Sequence, residues 1–106
     1  MQTSLPRRRK TIRRHPTPAA YSLESYHAKA SLAERQYTPR GQFDTASEAL
    51  TAAKTLIDDQ LRAAVDVGRP IEQAYRHWLE FGEVPVIVAI QAEAPQVQFD
   101  PFTYAA

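Results

Sequence analysis

Three groups of residues in this 106-residue sequence have the types and spacing to do chemistry. The first is Arg7-Arg8-Arg9-Lys10-Thr11-Ile12-Arg13-Arg14, spaced to follow a phosphate backbone. Each phosphate it neutralised would release counterions and make polyanion binding fall with salt. No helix-turn-helix signature or zinc spacing accompanies it, so the pattern predicts backbone contact with DNA or RNA rather than base reading. The plainer explanation is a solubilising leader, or one translated from an upstream start.

The second group is His77 and Glu80, with Gln73 one turn earlier and Glu83 beyond. It has the makings of an acid–base pair or of two metal ligands. A metal site needs three or four ligands, and His15 and His27 fall in segments with no fixed relation to these residues. The expectation is therefore a solvated polar helix face, with no catalytic residue, metal or cofactor. Asp58-Asp59, the third group, is an adjacent pair. Neighbours on a helix diverge by about 100 degrees, too far to share a proton. Asp58 is expected to be a surface charge or a hydrogen-bond partner of the following loop.

A contact surface is suggested by Tyr75, Trp78 and Phe81, and Glu83 joins them as a residue that local structure leaves unexplained. Gly82 would end a helix, and Pro85 would admit a strand.

Other chemistries are excluded by composition. The chain has no cysteine, which removes disulfides, thiolate metal sites and cysteine nucleophiles and fits a reducing, cytoplasmic setting. Three glycines leave no material for phosphate-cradling loops, nucleophile elbows or dinucleotide fingerprints. The longest apolar run, Val84 to Ile90, falls far short of the roughly 20 residues that span a bilayer, so a soluble protein with no membrane partner is expected. No apolar segment follows the basic start, as a secretory signal would require. The net charge of +1 conceals a segregation: residues 1–18 hold six cations and no carboxylate, and the other 88 hold seven cations against twelve carboxylates. A basic arm on an acidic body is predicted.

The elements that must position these residues follow in order. Met1 to Pro18, with Pro6, Pro16 and Pro18, lacks apolar material to offset ordering and is expected to be disordered. A single domain follows over residues 19–106. Alternation and aromatics predict a strand near Ala20 to His27. Lys29 to Arg35 is a hairpin connection too short for an unaided helix. A second strand near Tyr37 to Phe43 carries Pro39 and Gly41, which direct it to a sheet edge or ragged pairing. Ala46, Ala49, Leu50, Ala53, Leu56, Ile57, Leu61, Ala64 and Val65 recur at helical spacing, opened by a Thr45/Glu48 capping box and closed by Gly68. Pro70 and Glu72 start a second helix with an Ile71, Ala74, Tyr75, Trp78, Phe81 stripe. Val86 to Ile90 reads as a strand buried on both faces, central in a three-stranded sheet. Gln91 to Gln98 is loop, and Phe99, Phe102 and Tyr104 return to seal the core's edge. The fold class is α+β: a small antiparallel sheet covered by two helices, in the order β-β-α-α-β.

Two segments resemble a family of small, uncharacterised proteobacterial proteins. Phe43-x-Thr45-x-x-Glu48-Ala49-Leu50-x-x-Ala53-Lys54-x-x-Ile57-Asp58-x-x-Leu61 is similar to its helix segment. Gly68-x-x-x-Glu72-x-x-Tyr75, Phe81-Gly82-Glu83-x-Pro85-x-Ile87 and the Phe99 and Tyr104-Ala105 tail are similar to its second half. The resemblance covers residues 20–105 and leaves out the basic arm. This chain departs from the family at Val84, where an acidic residue is usual, at Val86, where an aromatic is usual, and at Pro101-Phe102-Thr103, in place of an aromatic-acidic tail. No established activity comes with the family, so the resemblance supports the fold. The expected function is a non-enzymatic contact module that meets another protein through the sheet edge near Tyr37 and the Tyr75, Trp78, Phe81 surface, or a second copy of itself, with nucleic acid binding by the arm as the alternative.

Overall fold

The computed structural model of the chain describes residues 19–106. The basic arm expected at residues 1–18 lies outside the described residues. An α+β fold follows: β1 (Tyr21–His27), a single 3-10 turn (Leu32–Glu34), β2 (Thr38–Phe43), α1 (Ala46–Asp66), α2 (Ile71–Phe81), β3 (Glu83–Ala89) and α3 (Pro101–Ala105). The antiparallel sheet has the order β2-β1-β3, and α1 touches all three strands as well as α2 and α3.

The expected central strand is an edge strand. The β-branched run lies in β3, which starts at Glu83, and the middle position belongs to β1. The ladder supplies the reason. Gly82 accepts from the Ala28 amide and the Ile90 amide donates to Ala20, so even-numbered residues of β3 bond to β1 and odd-numbered ones face away. Pro85, which has no N–H, sits where no donor is required only if nothing pairs on that side. Val88 is accordingly 40% exposed rather than buried on both faces.

On the other edge, the register slips where Leu23 pairs with Gly41 and Glu24 with Pro39, leaving Arg40 unpaired in a bulge. Bulges re-aim side chains, and here the Arg40 guanidinium reaches Ser25 and Glu83. Consecutive residues of a strand point to opposite faces. Ser25 and Tyr26 are both buried, so β1 is covered on both sides at this end.

Helix α1 is continuous from its Thr45/Glu48 capping box, with the Glu48 amide donating to Thr45 Oγ1 at 3.1 Å and the Thr45 amide to Glu48 Oε1 at 3.2 Å. Its inward stripe is Ala49, Ala53, Ile57 and Ala64; Val65, expected with them, is exposed. Short side chains let the helix approach the sheet closely. Ala49 and Ala53 pack with Tyr21, Leu23 and Ile87. Ile57 belongs to a second cluster with Tyr26, Trp78, Val84 and Ala105, and Phe99 packs against both. Of the aromatics expected to seal the core's edge, Phe99 does so, whereas Phe102 and Tyr104 are 38% and 37% exposed on a helix that propensity alone would not form. Asp100 caps α3 by accepting from the Phe102 amide at 3.0 Å, with Pro101 in the first turn.

Two glycines end helices for different reasons. Gly68 adopts φ +100, as a left-handed stop requires, with nothing close to a built Cβ. Gly82 is extended (φ −89, ψ 178), so handedness is not its purpose. A Cβ there would lie 2.3 Å from the Trp78 ring and 2.6 Å from the Trp78 carbonyl oxygen. Gly82→Ala is expected to lose about 2–3 kcal/mol by overpacking, and Gly68→Ala only about 1–2 kcal/mol of backbone strain. Urea denaturation of the two variants checks the ranking, and equal losses would contradict it.

Candidate functional site

The sequence-predicted contact residues Tyr75, Trp78, Phe81 and Glu83 gather where α1, α2 and β3 meet, but they do not form one surface. Trp78 is core, 2% exposed, with Tyr75 stacked on it at 6.1 Å and Phe102 tilted against it at 5.6 Å. Its indole Nε1 donates to the Glu83 carbonyl at 3.2 Å. Only Phe81 is open, at 65%.

Glu83 acquires a structural explanation. Its main chain is held by the Gln60 side-chain amide, which accepts from the Glu83 N–H at 2.7 Å and donates to its carbonyl at 2.9 Å. Its carboxylate accepts from Ser25 Oγ at 2.9 Å and lies 3.6 Å from the Arg40 guanidinium, while Arg40 Nε donates to Ser25 Oγ at 2.8 Å. Ser25, Arg40 and Glu83 thus bridge all three strands. Because Ser25 is fully buried, its hydroxyl has no approach path for a substrate. Sequence reasoning missed Gln60. The available signal was a polar residue between Ile57 and Ala64, at helical spacing on the inward stripe.

Gln73, His77 and Glu80 line one shallow depression of about 110 Å³, with Arg69 and Arg76 beside them. Glu83 is not among its walls, so the acid–base trio with Glu80 and His77 does not assemble. His77 is half-buried instead of solvated: its ring tilts against Phe81 at 4.9 Å, and Nδ1 is buried without a partner. No group of three acidic or histidine side chains that could hold a metal occurs among the described residues. Nor is any helix among them long and apolar enough to cross a membrane.

Asp58 and Asp59 diverge as their adjacency requires. Asp59 pairs with Arg62 at 3.0 Å on the exposed side. Both oxygens of Asp58 accept from the Tyr104 hydroxyl at 3.0 Å, which ties α3 to α1.

What remains open around the two helices is apolar. On one flank Leu61, Val65, Ile71, Tyr75 and Ala105 line a groove of about 640 Å³. On the other, Ala63, Val67, His77 and Phe81 line one of about 330 Å³. Comparison of the chain with protein-family models, with curated proteins and with solved structures gives no match.

The Tyr104–Asp58 bond holds the phenol above its ordinary pKa of 10.0, chiefly because the hydroxyl donates to a carboxylate. A group whose pKa is raised by folding stabilises the fold below its ordinary value and loses that contribution as pH rises through the raised one. Docking of α3 should therefore weaken in alkali above pH 10. Asp58→Asn is expected to bring the Tyr104 titration back towards the ordinary value, followed by the NMR signal of its ring carbon bearing the hydroxyl. An unmoved midpoint would mean that the bond does not persist in solution.

Proposed function

We propose that this chain is a non-enzymatic, cytoplasmic interaction module that uses its α1–α2 corner to contact another protein surface, a second copy of itself being the directly testable partner. The observation that supports this most is the concentration of exposed apolar side chains there: Val67 at 78%, Ile71 at 74% and Phe81 at 65%. Single exposed apolar residues are ordinary, but Ile71 in the groove on one flank of the helix pair and Val67 and Phe81 in the groove on the other give it the composition of a contact surface. Ile71 stands in the first turn of α2 and Val67 at the end of α1, so neither side chain is needed to start or stop its helix. Gln60 occupies the main-chain groups of Glu83, and Pro85 has no donor, so the start of β3 is poorly suited to a visiting strand. A cysteine-free composition fits the reducing compartment.

The pair Val67→Lys and Ile71→Glu matches the helix dipoles at both positions and should change folding stability by no more than about 0.5 kcal/mol. Sedimentation velocity from micromolar to millimolar concentration is expected to show self-association of the wild-type chain that the double variant loses. Monomeric behaviour of both throughout would overturn it.

A second proposal rests on charge segregation. Arg7, Arg8, Arg9, Lys10, Arg13 and Arg14 precede a body with an excess of carboxylates, an arrangement suited to holding DNA or RNA by phosphate contacts while the body repels it. Removal of residues 1–18 should abolish retention on a mixed-sequence duplex at low salt, and the full chain should lose it steeply as salt rises. Equal retention with and without these residues would refute arm binding.

A further inference from the structure

A further cleft, of about 420 Å³, is lined by the β1–β2 connection, β3 and the C-terminal segment. Its walls include Tyr26, Arg35, Tyr37, Val97, Phe99 and Phe102. That volume lies in the range of small-molecule sites, which are apolar with a few placed polar groups.

Arg35 supplies such a group. Its guanidinium lies over the Tyr26 ring at 4.0 Å, and Tyr37 meets the same ring edge-on at 5.8 Å. The contact fixes the cation without neutralising it, because a ring quadrupole attracts charge but accepts no N–H. Arg35 has no carboxylate partner among the described residues, and its Nε is buried without an acceptor. A desolvated donor without a partner is costly, and an arriving anion would relieve the charge on the same group. Asp100 is the one carboxylate lining the cleft, and it does not serve Arg35. Its oxygens accept from the Phe102 and Thr103 amides and from Thr103 Oγ1, and these bonds, the Thr103 hydroxyl foremost, hold its pKa below the ordinary 3.8.

We infer that this cleft binds a small organic carboxylate with an aromatic or similarly apolar body, the carboxylate on the Arg35 guanidinium and the body among Tyr37, Val97, Phe99 and Phe102. The planar guanidinium presents parallel N–H groups that suit a carboxylate's two oxygens. Stacking on Tyr26 holds that fork in place before the ligand arrives, so little side-chain entropy remains to be lost on binding.

The probe is phenylacetate, titrated into the full chain and followed by amide NMR. Saturable shifts are expected at Tyr26, Arg35, Tyr37 and Phe102. Phenylacetamide, the same body without charge, should bind at least about tenfold more weakly, and Arg35→Gln should weaken phenylacetate by a similar factor, as loss of a charge-assisted pair implies. Equal binding of acid and amide, shifts centred elsewhere, or no saturation would each overturn the site. If Arg35→Gln disturbs folding through Tyr26, the acid and amide compared on the unaltered chain decide the matter alone.

Discussion

One main-chain unit ties α1, α2 and β3 together. The Glu83 N–H and carbonyl are occupied by the Gln60 amide from α1, and the carbonyl also accepts the Trp78 indole from α2. Buried backbone groups must find partners. At the start of an edge strand those partners would ordinarily be water or a neighbouring strand. Here two helices supply them, so the strand cannot shift register without leaving Gln60 and Trp78 with unpaired polar groups. The same contact explains why Gly82 must lack a side chain: Trp78 reaches Glu83 by lying against the residue before it.

Around that junction the packing is asymmetric by size. Ala49 and Ala53 give α1 a flat face over Tyr21, Leu23 and Ile87. Further along the helix, Ile57 and then Trp78 fill the wider space above Val84 and Tyr26. Phe99 and α3 close the open side, and α3 is too short to persist without Ala105 in the core and Tyr104 on Asp58.

The charged residues divide between structure and surface for the same reason. Arg40 is consumed by Ser25 and Glu83, because a bulge turns it inward, whereas Arg35 lies over a ring and retains an uncompensated charge. Three of the carboxylates that attract attention in the sequence are likewise occupied: Glu83 by the sheet, Asp58 by Tyr104, Asp59 by Arg62. Chemistry by Glu83 or Asp58 would have to break contacts that join β3 to the other strands or α3 to α1. A role in contact and binding is more compatible with that arrangement.

The sequence by itself determined what depends on near neighbours along the chain. Thr45 and Glu48 start α1, Gly68 stops it, Pro39 and Gly41 mark an edge strand, and the stripe on α1 is legible because helical geometry repeats locally. It pointed to the wrong central strand. A β-branched run suits a middle strand, and only the pairing geometry places Pro85 on a side that must remain unpaired. Trp78 and Phe81 look alike as spacing, three residues apart on one stripe; the fold buries the first in the core with Ile57 and Val84 and leaves the second, the last residue of α2, exposed. Gln60 and Ser25 owe their roles to Glu83, 23 and 58 residues away in the chain, and such roles exist only once the tertiary structure has brought the partners together.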